Sequence, residues 1–257
     1  MILRVLTYNI HKGFHHLRRK KVLHLMRHAI RESKADLVFL QEVLGFDHQE
    51  DASQLEYLAD EIWHHHAYGR NAVTTLGHHG NAVLSKYPIT FFENIDISTN
   101  SLEKRGILHA VVRIPELDLP IHALSIHLGL FESDRRSQIR RICHRIHRTI
   151  KNPEPLIMGG DFNDWRERAS PILEKRLNVK EAYHQVHGAH ARSFPIWMPS
   201  LRLDRLYFRG LRAQFAQALV GAPWSRLSDH AALYAELELE ATPTETDVAT
   251  RSIASSN

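Results

Sequence analysis

Residues 156–165 read Leu156-Ile157-Met158-Gly159-Gly160-Asp161-Phe162-Asn163-Asp164-Trp165. A short apolar run ends in two glycines and then releases an acid and an amide onto a loop. In α/β folds sites gather at such strand ends, because a rigid sheet holds the loop in place. Asp161 and Asn163 sit two apart, so in extended geometry they point the same way. An acid beside an amide can take a proton from water and hold an anionic oxygen. A turn or helix cap built on Asp161 or Asn163 accounts for the same residues.

The chain on either side reads as more strands and helices. Residues 2–9 alternate, with Leu3, Val5 and Thr7 on one side and Arg4, Leu6 and Tyr8 on the other. Helical spacing over 18–33 sets Val22, Leu25, Met26, Ala29 and Ile30 in one apolar stripe. Leu37 to Val43 suits a buried strand, and residues 52–62 read as helix. Strands are expected at 81–85, 91–97, 107–114 and 121–128, punctuated by Pro88, Gly106, Pro115 and Pro120. A basic helix follows over about 133–150, with Ile139, Ile142, Cys143 and Ile146 on its apolar side. Beyond the opening strand come a helix near 170–176 and strands at 203–208, 212–219 and 230–239. Two strand-rich halves with helices between them suggest two sheets packed face to face and covered by helices. No linker interrupts the pattern, so residues 1–240 read as one domain and 241–257 as a disordered polar tail.

Composition excludes several classes. The 257 residues are 43% hydrophobic and 24% charged, enough for a sizeable core without staples. Cys143 is the sole cysteine, so no disulfide framework exists, and a reducing compartment fits. The start lacks a signal-peptide pattern and no run reaches the ~18 apolar residues of a membrane span, so the chain reads as soluble and cytoplasmic. The net charge of +4, with Arg18-Arg19-Lys20-Lys21 and Arg135-Arg136 with Arg140-Arg141, suits an anionic partner. Each basic cluster also reads as a solvated helix face.

Further polar residues stand at other strand ends. In Ser228-Asp229-His230, adjacent residues face opposite sides of a strand, so the acid and the imidazole take different partners. Asp204 shares a face with Leu206 and Phe208, where a carboxylate is costly without a partner. An imidazole is one candidate, and Arg202 or Arg205 is another. Glu42 ends one strand and Asn9 another; oxygen ligands of this kind suit Mg²⁺ or Mn²⁺, although each also reads as a solvent-facing edge residue. His127 closes a third strand. Arg105 and Asn81 offer a fixed cation and an amide near strand starts. The histidines at 64–66 and 78–79 read as a cleft lining, a solvated surface or a second, softer metal site.

In order, Thr7-Tyr8-Asn9-Ile10, Gln41-Glu42, Leu84-Ser85-Lys86-Tyr87-Pro88-Ile89, His127-Leu128, Gly160-Asp161-Phe162-Asn163, Leu203-Asp204 and Ser228-Asp229-His230 resemble the endonuclease/exonuclease/phosphatase superfamily. The resemblance spans residues 2–239. It implies a four-layered α/β sandwich with two central mixed β-sheets flanked by helices. It also implies a metal, Mg²⁺ or Mn²⁺, held chiefly by Glu42 with Asn9 and Asp229 nearby. Asp161 would then orient or deprotonate the attacking water and Asn163 would bind the phosphate. Asp204 would pair with His230, which would stabilise the transition-state charge. His127 matches a position that carries histidine in nucleases and sphingomyelinases, and Arg105 matches a phosphate-contacting arginine of some members.

The expected activity is metal-dependent hydrolysis of a phosphodiester, nuclease-like, by in-line attack of water. Phospholipid or sphingomyelin-type diesters and phosphomonoesters are the alternatives, with Trp197 and Met198 as candidates for an apolar rim in the lipid case. A non-catalytic phosphate-binding module would have no need of both Asp204 and His230. Nucleic acid or a lipid headgroup is the expected partner; the motifs leave the substrate and the oligomeric state open.

Overall fold

The computed structural model describes residues 1–14, 22–45, 54–59, 62–74, 77–101, 103–151 and 153–239. The basic run Arg18 to Lys21, parts of the helix expected over 52–62 and the tail from 241 lie outside the described residues.

Strand β1 (Ile2–Asn9) follows its sequence pattern: Leu3 and Val5 enter one buried cluster, Leu6 and Tyr8 another. β2 (Leu37–Gly45) runs parallel to it, with Asn9 opposite Gln41. Parallel neighbours need a crossover, and helix α1 (Leu23–Glu32) lies within it. After α2 (Gln54–Ala59) come β3 (His65–Thr74), β4 (Gly77–Ser85), β5 (Ile89–Asp96), β6 (Gly106–Val112) and β7 (Ile121–His127). Helix α3 (Glu132–Thr149) crosses to β8 (Leu156–Asp161), which is parallel to β7. The chain continues through α4 (Ala169–Leu177), β9 (Lys180–Glu181), α5 (Ala182–His187), β10 (Asp204–Arg209), β11 (Leu211–Leu219) and β12 (Ala232–Leu239).

The strands form two mixed sheets, ordered β11-β12-β1-β2-β4-β3 and β5-β6-β7-β8-β10-β9. Three apolar clusters separate four layers, as expected. Leu3, Val5, Phe39 and Val83 of the first sheet meet Leu108, Ala123, Ile157 and Phe208 of the second. Met26, Ile30, Leu55 and Leu58 cover the outer face of the first sheet. Ile139, Ile142, Cys143 and Ile146 of α3, with Leu173 of α4, cover that of the second.

Four details depart from the sequence reading. Leu25, placed in the apolar stripe of α1, is 45% exposed, while Val22, Met26, Ala29 and Ile30 are buried. The histidine-rich segment is a hairpin, β3 and β4, whose β character comes from pairing with β2 rather than from its Gly, Asn and His content. The last strand begins at Ala232 rather than at 230, so His230 stands ahead of it beside Asp229. The short pair β9 and α5 carries too few residues to show a period.

Candidate active site

Two parallel pairs, β1 with β2 and β7 with β8, bring four carboxyl ends to one edge of the sandwich. Gly160 allows the close approach of β7: a Cβ there would lie 1.8 Å from the Ile126 carbonyl oxygen. Register then sets His127 beside Asp161 on one side and Asp204 beside Asp161 on the other. Asp161 Oδ1 accepts the Asn163 N–H at 2.9 Å, the side-chain-to-backbone bond that the turn reading of this loop expects. Asn163 has a φ of 49° rather than the extended geometry expected, and its amide donates to Leu128 O at 2.9 Å. Arg105 Nε donates to the same carbonyl at 3.2 Å.

The Asn9 amide bridges the two sheets, donating to Asp161 Oδ2 at 3.2 Å and to Glu42 Oε1 at 3.5 Å. Glu42 sits at a bulge of β2 with a φ of 58°, which takes it out of the regular ladder. Ser228 Oγ donates to Asn9 O at 2.7 Å and to Asp229 Oδ1 at 3.2 Å. His11 completes this ring, with its N–H on Asn9 Oδ1 at 3.1 Å and Nδ1 3.5 Å from Asp229.

His230 Nδ1 lies 2.9 Å from Asp204 Oδ2, so the carboxylate's partner is the imidazole and not an arginine side chain. Arg202 pairs with Glu167, and Arg205 donates to the Asp204 backbone carbonyl. The Phe194 ring packs 4.9 Å from that of His230. His230 Nε2 and His127 Nε2 face Asp161 Oδ2 at 3.7 and 3.6 Å, beyond hydrogen-bond reach. Both groups are thus gathered on one carboxylate without being consumed by it.

Burial divides the roles of these groups. Burial raises the Asp161 carboxyl to about 6, against the pull of His230 and with the push of Asp204. Burial alone would lower His230, but Asp204 and Asp161 outweigh it and raise the imidazole to about 10. His127 is held well below the usual histidine range by burial, Arg105 and His230. One imidazole is therefore cationic at neutral pH and the other neutral.

All the residues expected from sequence join this network except Asn81. Its amide donates to Gly106 O at 2.9 Å and Ser125 O at 3.2 Å, tying β4 to the second sheet one step behind the site. Sequence reasoning assigned no role to His11, Ser228 and Phe194, whose contacts with Asp229, the Asn9 carbonyl and His230 join residues far apart in the chain. Lys12 and His79 also lie near His127, and their charge helps hold it neutral. Among the described residues, the histidine-rich segments form no cluster of three candidate ligand atoms.

Asp161, Asp204 and His230 do form such a cluster. Within it, His230 Nδ1 is already engaged by Asp204 Oδ2 at 2.9 Å. Glu42, Asp229 and the Asn9 side-chain carbonyl are further oxygen donors of the kind that suits a hard divalent cation, linked to one another through Asn9 and Ser228.

Residues 6–230 match the Endonuclease/Exonuclease/phosphatase family, and the chain belongs to it. This is a family of phosphate-ester hydrolases, generally dependent on a divalent metal. The chain is 43% identical over 244 residues to the uncharacterized protein YbhP of Escherichia coli (strain K12), covering 92% of this chain and 96% of YbhP. The fold is shared with an endonuclease/exonuclease/phosphatase from Beutenbergia cavernae (TM-score 0.78, 17% identity, 95% of this chain and 73% of that one). It is also shared with the mannosyl-6-phosphatase Bt3783 of Bacteroides thetaiotaomicron (TM-score 0.71, 13% identity, 91% and 99%). Among the described residues, no helix is long and apolar enough to cross a membrane.

Proposed function

We propose that the chain is a divalent-metal-dependent phosphodiesterase that directs a water molecule in line onto the phosphorus. The reading rests chiefly on one observation: Asp204 holds His230 as an imidazolium 3.7 Å from a carboxylate whose own affinity for protons is raised towards neutrality. That is the division into an acid and a base that such a reaction needs.

Asp161 positions the water and accepts its proton, and its raised pKa makes it a stronger base than an exposed aspartate. The Asn163 amide and Arg105 flank the phosphoryl oxygens. His230 presents Nε2–H to the non-bridging or leaving oxygen, where negative charge accumulates. Asp204 keeps Nδ1 protonated and aims the ring, as the carboxylate does in other Asp–His pairs. Neutral His127 offers a hydrogen bond without adding a second positive charge. A divalent cation held by Glu42, Asn9 and Asp229, Mg²⁺ or Mn²⁺, supplies Lewis-acid stabilisation when bound.

A phosphomonoesterase is the second reading, favoured by the shared fold of the mannosyl-6-phosphatase. Bis-p-nitrophenyl phosphate and p-nitrophenyl phosphate, each assayed with Mg²⁺ or Mn²⁺ and with chelator, separate the two. Metal-dependent turnover of the diester that is lost in Asp161→Ala and His230→Ala is the expected result. Turnover of the monoester alone overturns the diester reading, and turnover unchanged in both variants overturns the site.

A further inference from the structure

Three loops leave the strand ends and contacts that build the site, and each carries large apolar side chains into solvent. Leu130 and Phe131 follow β7 and His127. Trp165 follows Asn163, and Trp197 with Met198 follows the Phe194 that packs on His230. These five side chains are between 47% and 64% exposed. Other large apolar side chains, among them Val73, Phe91 and Phe92, are exposed elsewhere, but these five stand on loops that leave the candidate catalytic residues, and apolar side chains grouped beside a site mark a surface that a partner can cover.

The backbones beneath them are pinned, so the side chains are held out rather than left loose. Gly129 N–H donates to Gln138 at 2.9 Å, Leu130 N–H to Glu103 at 3.1 Å, and Arg135 donates to the Gly129 and Leu130 carbonyls. The Arg166 guanidinium stacks on the Trp165 ring at 4.4 Å and bonds Glu132 at 3.1 Å, joining the second loop to the first. Arg202 pairs with Glu167 and Ile196 N–H donates to Asp229 O at 2.7 Å, joining the third loop to the second and to the site.

Charge identifies the occupant. Beside the first two loops, a groove between α3 and α4 is lined by Arg136, Arg140, Lys175 and Arg176 with Ser133, Pro171 and Ile172, and carries no acid. A cationic flank next to an apolar rim matches a bilayer of anionic phospholipid, whose headgroup charge lies just outside its apolar layer. A single-stranded polynucleotide would want stacking faces along a cationic track; Leu130 and Met198 have no such face, and the cations of the α3–α4 groove lie to one side of the rim.

We propose that the protein docks on anionic phospholipid bilayers through Leu130, Phe131, Trp165, Trp197 and Met198, with the α3–α4 groove against the headgroups. Docking sets the Asp161–His230 site at headgroup depth, where a lipid phosphodiester is presented. The substrate class rests on the phosphodiesterase reading above; the docking does not.

The test is flotation of the full chain with vesicles of phosphatidylcholine containing about 30% phosphatidylglycerol, compared with pure phosphatidylcholine. Expected is partition onto the anionic vesicles with a blue shift of tryptophan emission. Trp197→Ser with Met198→Ser, and Phe131→Ser, should each cut that partition roughly tenfold or more. Arg140→Glu with Lys175→Glu should weaken it on anionic vesicles alone. All of these variants should keep the wild-type melting temperature and bis-p-nitrophenyl phosphate turnover. No partition, partition indifferent to the apolar replacements, or single-stranded DNA binding that these replacements weaken would overturn the docking. His230→Ala should still float; flotation without diester turnover in the wild type would sink the phosphodiesterase reading and leave the docking standing.

Discussion

His230 carries its proton only because two carboxylates face it, and that arrangement sets a pH window. A base that must be ionised and an acid that must be protonated give a bell-shaped profile. With Asp161 raised to about 6 and His230 to about 10, kcat/KM should rise through the first value and fall through the second. Asp204→Asn removes the largest influence raising His230 and leaves Asp161 and Asp229 to oppose burial, so the alkaline limb should move to lower pH. A pH–rate series on a soluble diester, wild type against Asp204→Asn, checks both limbs; an unmoved alkaline limb would rule His230 out as its source. His230→Ala should lower kcat by roughly 10³ or more. Buried polar groups elsewhere warn against reading roles from contacts alone. Ser170 Oγ, His190 and Glu181 form a chain with links of 3.1 Å that resembles a nucleophile triad. All three are buried, however, and Ser170 Oγ also bonds the Tyr207 hydroxyl at 2.6 Å, so the chain ties α4 to β9 and β10.

Strands and helices show the same dependence on distant partners. The contact of β7 with β8 requires glycine at 160, because any Cβ would strike the Ile126 carbonyl. Gly160→Ala should therefore cost about 3 kcal/mol in urea unfolding, at the upper end for an overpacked position. On the outer face of the second sheet, β6 and β7 bury His109 and His122 with their ring nitrogens 2.9 Å apart, between Glu93 and Glu154. Burial lowers His109 to about 4 and lowers His122 as well. A histidine whose folded pKa lies below its unfolded value near 6.5 stabilises the fold fully above that pH. The contribution is lost as pH falls from about 6.5 towards 4, since the unfolded chain then takes up the proton first. Melting temperatures across that interval should fall more steeply in the wild type than in a His109→Gln/His122→Gln variant. Equal slopes would remove the pair as a cause of acid lability.

In the whole molecule, two sheets are held face to face by a shared apolar core and by polar bridges from Asn9 and Asn81. On the proposal that Glu42, Asn9 and Asp229 hold the cation, binding would stabilise the docked sandwich and not one strand. Mg²⁺ or Mn²⁺ should raise the melting temperature, chelator should reverse the gain, and Glu42→Gln should abolish it. A metal-induced shift that survives Glu42→Gln would move the cation elsewhere. Salt should have little effect on this shift but should weaken any vesicle binding that depends on the α3–α4 groove.

Local order was legible in the sequence because it is carried by neighbours. Alternation in Ile2–Asn9, the apolar stripe of α3 and the Gly-Gly-Asp end of β8 each follow from residues a few positions apart. So did the likeness to the family, which is an order of short motifs along the chain. What the sequence could not determine was proximity across the fold. That the partner of Asp204 is His230 and not Arg205, that Asn9 spans from Glu42 to Asp161, and that Leu130, Phe131, Trp165, Trp197 and Met198 stay exposed are facts of packing. Periodicity reports which face of an element is apolar. Only the docking of two sheets decides which polar ends meet, and the burial that docking imposes sets which of them keep their protons.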